Sequence, residues 1–376
     1  MEKQGNKVLF FVDRMRVGGI QVLLIDLFKH FDAKRIRPEL LLLDDGEHYD
    51  LEDQVREMGI PVYKLEGIWL RKLKDYISYF KAVNNFFQEH HDYRAIHINT
   101  GPKNFYLLQC AKRYNIPIRI AHSHNTGYQT ESKIKKYLGN ILKYPLKSSA
   151  NVYLACSDYA GKWMFGEKMS QSGRVTVLPN GVDLDRYAFN QTIRTEMRHE
   201  LGVEEKIVIG NVGRFTFQKN HEFLIDIFQE IHNINPNTVL VIAGVGELLG
   251  AIKEKVAILG LKDDVRFLGF RNDVTSLTQA MDVFLMPSLY EGFPVTAVEA
   301  QASGLPCVFS DTITKEVKLL DQTKYISLGS DSKIWAEEVL NLVGTVDRKE
   351  SNAILHNKGY DISDMIDMLM SIYQLS

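Results

Sequence analysis

Short apolar blocks alternate with amphipathic stretches along the first half of the chain. Lys7 to Val12 (KVLFFV) is a compact apolar run, the pattern of a strand buried on both faces of a parallel sheet. Asp13 to Gly19 breaks it, and Ile20, Leu23, Leu24, Leu27, Phe28 and Phe31 then recur at helical spacing on one face. The unit repeats, with apolar strands expected near Leu40–Leu43, Val62–Leu65, Ile96–Ile98, Ile118–Ala121 and Val152–Ala155. Alternation of this kind predicts an α/β doubly wound sheet.

The rhythm changes at Val177-Leu178-Pro179-Asn180-Gly181-Val182-Asp183, a turn sequence followed by a charged stretch to Glu205 that holds little core material. A second series then begins. Strands are expected at Ile207–Ile209, Val239–Ile242, Val265–Leu268, Val283–Met286 and Pro306–Phe309, with helices at Glu222–His232, Glu247–Leu259 and Val295–Ala302. The pattern predicts two α/β halves joined near residues 180–190. From Ser332 to Ser376 it is helical, and its last apolar stripe (Ile362, Met365, Ile366, Leu369, Met370, Tyr373) must cover a core.

A chain of 376 residues fits two domains. Its Lys+Arg count of 45 against 47 Asp+Glu gives a net charge of −2, which excludes a protein whose main task is coating nucleic acid. Cys110, Cys156 and Cys307 lie too far apart for a disulfide framework or a Cys-x-x-Cys clip, which points to a reducing cytoplasm. No apolar run approaches the ~20 residues that span a bilayer, and the run after Met1-Glu2-Lys3-Gln4 is too brief for a signal peptide.

In open parallel sheets ligands bind beyond the carboxyl ends of the strands, and the loops there carry the candidate chemistry. Gly18-Gly19 follows the first strand and opens a helix. The pair either brings backbone N–H groups against an anion or makes a tight turn with positive φ. Gly213-Arg214-Phe215-Thr216-Phe217-Gln218-Lys219 follows the first strand of the second half. Its Arg and Lys can converge on a diphosphate, or they are two solvated cations. Tyr290-Glu291-Gly292-Phe293-Pro294-Val295 precedes a helix that carries Glu299 among apolar neighbours. A buried carboxylate there needs a partner: ligand hydroxyls, which fit best, or a salt bridge.

Other candidates carry less. Asp183-Leu184-Asp185 superficially matches a metal clip, but its place in the interdomain turn favours capping. Gly244-Val245-Gly246 could approach a nucleotide, yet the third glycine, Gly250, is one residue too far for the dinucleotide fingerprint. His122-Ser123-His124-Asn125 ends a strand; a polar, substrate-facing role suits it better than zinc, because no third ligand lies near. Lys133, Lys135, Lys136, Lys143 and Lys147 form a basic amphipathic stretch with no acid after Glu131. It can lie on an anionic membrane surface or be an ordinary solvated face.

Taken in order, Gly18-Gly19, the Pro179-Asn180-Gly181-Val182-Asp183 turn, the Gly213-Arg214…Lys219 loop and the Glu291…Glu299 pair resemble family 4 glycosyltransferases of GT-B fold. The string Ala-His-Ser-His-Asn-Thr is similar to members that build bacterial exopolysaccharide, capsule or lipopolysaccharide. The resemblance implies two Rossmann-like domains facing a cleft: an acceptor domain over 1–184, a nucleotide-sugar domain over 185–355, and a C-terminal helix over 356–376 packing back on the first. It implies that Arg214 and Lys219 hold the donor diphosphate and that Glu299 takes the ribose hydroxyls. Glu291, with Gly292, Phe293, Pro294 and Val295, would contact the donor sugar. Gly18, Gly19 and Gly213 would lie by the donor, His124 would line the sugar pocket, and His122 and Asn125 would touch sugar or acceptor.

The activity so implied is a retaining, hexosyltransferase-type transfer from a UDP-sugar, with GDP or ADP as other bases. The acceptor is a glycan or lipid-linked sugar. No metal or other cofactor is expected. Rivals are a GT-B epimerase or sugar phosphorylase, and an inactive glycan-binding subunit, which would be expected to have lost Arg214, Lys219 or Glu291. The location implied is cytoplasmic, peripheral on the inner face of the membrane if the lysines bind lipid.

Overall fold

The structure is a computed structural model that describes residues 5–65, 73–128 and 132–375, the side chains of 73 and 74 excepted. The chain start Met1-Glu2-Lys3-Gln4, Glu131 and Ser376 lie outside the described residues. The chain divides into two compact units, Met1–Gly181 with Ile362–Ser376, and Val182–Asp361. The boundaries expected at 184/185 and 355/356 therefore move to 181/182 and 361/362. Their cause is local: Val182 and Asp361 form a parallel bridge, and the Val182 N–H donates to the Tyr360 carbonyl at 3.0 Å. Both crossing segments are thereby tied into the second unit.

The first unit is built on seven parallel strands: β1 (Lys7–Phe11), β2 (Arg37–Leu43), β3 (Val62–Leu65), β4 (Ala95–Ile98), β5 (Ile118–Ser123), β6 (Val152–Ala155) and β7 (Val175–Val177). Their order is β3-β2-β1-β4-β5-β6-β7. Leu9 and Phe11 of β1 pack into one layer with Leu41, Ile96 and Ile98, under the helices that carry Tyr79, Val83 and Leu107. Phe10 points the other way, edge-on to Phe28 at 5.2 Å and to Tyr373 at 6.3 Å. Layers on both faces explain the unbroken apolar runs. The C-terminal stripe covers this second layer, with Ile362, Met365, Leu369, Met370 and Tyr373 buried.

The second unit holds six parallel strands: β8 (Ile207–Val212), β9 (Thr238–Ala243), β10 (Val265–Phe267), β11 (Val283–Met286), β12 (Cys307–Ser310) and β13 (Thr323–Ile326). Their order is β10-β9-β8-β11-β12-β13. The helix Val295–Ala302 has the expected bounds, and the flanking helices run His221–Ile234 and Leu249–Ile258. Two strands were not expected, β7 and β13, and both are sheet edges. An edge strand is half solvated, so its sequence (VTV, TKYI) carries little apolar signal.

The charged stretch 183–205 also differs from expectation. It holds the helices Leu184–Tyr187 and Gln191–Leu201, capped by Asp183 and Asn190 and ended by Gly202 at φ 64°. Arg194 and Arg198 anchor the longer helix by donating to the carbonyls of Gln279, Ala280 and Met281 and by pairing with Asp282. Side-chain charge replaces the missing apolar face. After residue 331 come the α-helices Ser332–Leu342, Ser351–Asn357 and Ile362–Tyr373, with a short 3-10 turn at Arg348–Glu350.

Candidate active site

In each sheet the strand order reverses at one place, between β1 and β4 in the first unit and between β8 and β11 in the second. Loops leaving such a pair diverge to opposite faces and open a crevice at the strands' carboxyl ends. Gly18 and Gly19 follow β1, and Arg214, Lys219 and Glu291 follow β8 and β11 at these places, whereas His122, His124 and Asn125 end β5, one strand further on.

In the second unit the loop after β8 carries Gly213, Arg214 and Lys219, and the loop after β11 carries Glu291. Lys219 Nζ lies 2.7 Å from Glu291 Oε1. Gln218 Nε2 donates to Glu291 Oε2 at 3.1 Å and to the Tyr290 carbonyl at 2.9 Å, while the Leu289 N–H donates to the Gln218 carbonyl. Asn220 crosses the same gap, donating to the Pro287 carbonyl at 3.1 Å from a left-handed backbone at φ 54°. Arg214 is half-buried in the same loop. The sequence reading did not single out Gln218 or Asn220, although both stand at a strand's carboxyl end beside a chosen lysine.

The β8 loop is held from below by two glycines. A Cβ on Gly244 would overlap the Gly213 carbonyl, and one on Gly246 would sit 2.5 Å from the Phe215 carbonyl oxygen. Both have positive φ, 153° and 159°. The Gly213 N–H donates to the Ala243 carbonyl and the Phe215 N–H to that of Val245. Gly244 and Gly246 thus serve backbone-on-backbone packing of two loops, a role only glycine fills here. His221 stacks on Phe215 at 4.2 Å. Burial, with the Lys219 charge adding to it, lowers its pKa to about 4, so it packs as a neutral ring.

Glu291 is buried and pairs through its backbone with Ile313. Phe293, also buried, stacks nearly parallel on Tyr360, at 6.0 Å and 7°. Pro294 is the N-cap of the helix Val295–Ala302. Glu299 lies on that helix at 6% exposure among Val295, Ala297, Val298 and Ala300. The two acidic residues and both cations therefore belong to one unit and to the loops and helix flanking its β8/β11 reversal.

In the first unit Gly18 precedes the helix Gly19–His30 after β1. Its backbone is extended, with φ −177°, so the alternative of a positive-φ turn at Gly18 does not hold. A Cβ there would come within 2.8 Å of Gln21 Oε1. At the ends of β4 and β5, His97, His122 and His124 form a buried run. His97 Nε2 is 3.0 Å from His122 Nδ1, the His122 and His124 rings lie 3.9 Å apart, and His124 Nε2 is 3.0 Å from Asn99 Oδ1. Burial, with the neighbouring His124, lowers His97 to about 3; burial lowers His124 to about 4 against an opposing hydrogen bond with Asn180. Burial and the two flanking imidazoles push His122 well down as well. All three are neutral near pH 7. Asn125 is half-buried just beyond β5.

The basic helix runs Lys133–Ser149. Two of its five lysines turn inward, contrary to a uniform basic face. Lys143 Nζ donates to the Trp163 carbonyl at 2.6 Å and lies 4.4 Å from that indole's centre, and Lys147 Nζ reaches the Phe165 carbonyl at 3.4 Å. Burial and Lys147 lower the Lys143 pKa to about 8. Lys133 and Lys135 are exposed and Lys136 half-buried. Ile134, Tyr137, Leu138, Ile141 and Tyr144 of the same helix are exposed.

No described helix is long and apolar enough to cross a membrane. Among the described residues no group of three or more His, Cys, Asp or Glu could hold a metal ion. Asp183 accepts the Arg186 N–H as a helix cap, as expected.

Comparison with known proteins gives matches along the whole chain. The family "Glycosyltransferase Family 4" matches residues 17–186 and "Glycosyl transferases group 1" matches residues 193–343. The relative named "Putative glycosyltransferase EpsF" of Bacillus subtilis (strain 168) is 31% identical over 382 aligned positions, covering 100% of this chain and 98% of the relative. The UDP-Gal:alpha-D-GlcNAc-diphosphoundecaprenol alpha-1,3-galactosyltransferase of Escherichia coli is 26% identical over 78% of this chain and 76% of its own length. Among solved structures, Anabaena Alr3699/HepE in complex with UDP and glucose superposes with a TM-score of 0.80 at 21% identity, covering 98% and 99% of the two chains. Matched in both halves and aligned end to end with a glycosyltransferase, this chain belongs to family 4 of the glycosyltransferases and has the GT-B fold.

Proposed function

We propose that this glycosyltransferase acts in bacterial polysaccharide synthesis, moving a hexose from a UDP-sugar to a glycan or lipid-linked acceptor with retention at the anomeric carbon. The observation that carries the reading is the meeting of the β8 and β11 loops, with Lys219 2.7 Å from Glu291 and Arg214 in the same loop. The Escherichia coli relative's name specifies a UDP-sugar and a diphosphoundecaprenol acceptor, and the Anabaena structure holds UDP; both favour this donor and acceptor class.

In this mechanism the bond between the anomeric carbon and the diphosphate oxygen breaks through an oxocarbenium-like state. Negative charge grows on the departing UDP, and Arg214 and Lys219 stabilise it from fixed positions without a metal. The acceptor hydroxyl attacks the same face and gives its proton to the leaving phosphate oxygen. Glu299 takes the ribose hydroxyls. Glu291, with the backbone of Gly292 to Val295, binds sugar hydroxyls. Its carboxylate is already engaged by Lys219 and Gln218, which suits a binding group better than a covalent nucleophile. Gly18 and Gly19 offer helix N–H groups to the diphosphate, and His124 and Asn125 meet the sugar or acceptor.

An anionic leaflet is the proposed docking surface for the helix Lys133–Ser149. Its exposed apolar row lies beside exposed Lys133 and Lys135, the arrangement of a helix that enters a lipid interface. Such a position presents the enzyme to lipid-linked acceptors.

The test is a screen of nucleotide sugars for slow hydrolysis, with UDP-induced thermal stabilisation as the binding readout. Arg214→Ala is expected to abolish the stabilisation; an unchanged shift removes Arg214 from the site. Transfer should survive EDTA. Vesicles containing anionic lipid should float the protein, and Leu138→Asp/Ile141→Asp should prevent it.

A further inference from the structure

The histidine run in the first unit does not end at the strands. Tyr373, on the C-terminal helix, is wholly buried, and its hydroxyl lies 2.6 Å from His97 Nδ1. The opposite nitrogen, His97 Nε2, reaches His122 Nδ1 at 3.0 Å. His122 is 2% exposed, and its remaining nitrogen, Nε2, has no hydrogen-bond partner among the described residues. Phe10 stacks on His97 at 5.4 Å and closes the other side.

A neutral imidazole has one N–H and one lone pair, so this line of three groups has two self-consistent arrangements. In one, the Tyr373 O–H donates to His97 Nδ1, His97 Nε2–H donates to His122 Nδ1, and His122 presents an N–H at Nε2. In the other every bond is reversed, and the Tyr373 O–H is left without an acceptor inside a dry core. A buried donor without an acceptor is costly. The first arrangement moves the unpartnered donor from Tyr373 to His122 Nε2, which is also buried but stands near the carboxyl end of β5 with the His124 ring 3.9 Å away, on the side where ligands bind in such sheets.

We propose that Tyr373 and His97 are positioning residues that hold His122 as an Nε2–H donor to an oxygen of the bound sugar or acceptor. This rests on the reading above for the ligand's class, but the relay is a property of the protein. The residue that sets it sits far along the chain, and two imidazole rings separate the buried phenol from the ligand.

The experiment has two arms. In full-length protein with imidazole-¹⁵N histidine, long-range ¹H–¹⁵N spectra read each tautomer directly. His122 is expected as a single Nε2–H tautomer, and Tyr373→Phe, which keeps the ring, is expected to give a mixture. An unchanged His122 tautomer in Tyr373→Phe, or an Nδ1–H tautomer in the wild type, overturns the proposal. His97→Gln, whose amide can accept from Tyr373 and donate to His122, should preserve the His122 tautomer, whereas His97→Leu should not. In the second arm, with UDP-sugar turnover, Tyr373→Phe should lower kcat several-fold with little change in KM, and His97→Gln should recover part of it. A tautomer change with unaltered kcat overturns the ligand contact. Failure of every UDP-sugar to turn over would strike the proposed donor instead, leaving the spectra to decide the relay.

Discussion

Lys219 and Glu291 form an ion pair at 2.7 Å between the loops that leave the paired strands β8 and β11. Glu291 is buried, and Lys219 is 18% exposed at its side chain. Removing the lysine takes the countercharge from a buried carboxylate whose other oxygen accepts from Gln218. Lys219→Ala should therefore cost roughly 2–3 kcal/mol of stability and on the order of a hundredfold or more in turnover. Lys219→Ala/Glu291→Gln should cost less stability than the single lysine variant, while turnover stays low. Urea denaturation beside sugar transfer checks both halves, and additive stability losses would deny the coupling.

Gly244 and Gly246 lie under the β8 loop with no room for a methyl group. Either Gly→Ala change combines strain at positive φ with a backbone clash and should lose roughly 3 kcal/mol or more. Gly250 has open space around the same atom at the start of the helix Leu249–Ile258. Gly250→Ala should be neutral or slightly stabilising, since alanine is the better helix former. Thermal melts of the three variants separate a loop-packing role from general intolerance of this segment.

Arg348 donates to the carbonyls of Thr278, Gln279, Met281 and Ser303 and stacks on Phe189 at 4.5 Å. Burial, with Arg194 beside it, lowers its pKa to about 9, and Asp282 counters that effect. Asp282 also pairs with Arg194 and Arg198 and accepts the Val208 N–H at 2.8 Å. Asp282→Asn removes the carboxylate that pairs with both Arg194 and Arg198 and should destabilise the second unit by roughly 3 kcal/mol. Arg348→Lys should fail to restore Arg348's role, because a single ammonium cannot reproduce four directed bonds from a planar fork. Equal melting temperatures for wild type and Arg348→Lys would show that charge alone suffices.

These arginines mark where the sequence was hard to read. Central strands such as Val283–Met286 are legible because burial on both faces demands an unbroken apolar run. The helix Gln191–Leu201 is not, since Arg194 and Arg198 dock it by capping the carboxyl end of another helix. Arg214, Lys219, Glu291 and Glu299 are legible because strand ends concentrate ligand chemistry. His97 reads as one polar residue inside Ala95–Ile98, and nothing local ties it to Tyr373. Contacts of that kind depend on which helix returns to which face, which periodicity does not encode.

The buried histidines make stability pH-dependent in a defined window. His97, His122, His124 and His221 all have folded pKa values below the ordinary 6.5, at about 3, well lowered, about 4 and about 4. An unfolded chain binds these protons as pH falls through 6.5, and the folded chain does not until near 4. Folding stability is thus full above about pH 6.5 and decreases as pH falls towards 4, by about 1.4 kcal/mol per pH unit for each histidine at most. The lowered carboxylates, Asp45, Asp92 and Asp273, act in the same direction but below the usual 3.8, so the interval between pH 6.5 and 4 belongs to the histidines. Urea titrations at pH 7, 6 and 5 should show a falling midpoint, with three of the four proton sites in the first unit. A midpoint flat from pH 7 to 5 would mean that these rings are already open to water and that the buried run does not persist in solution.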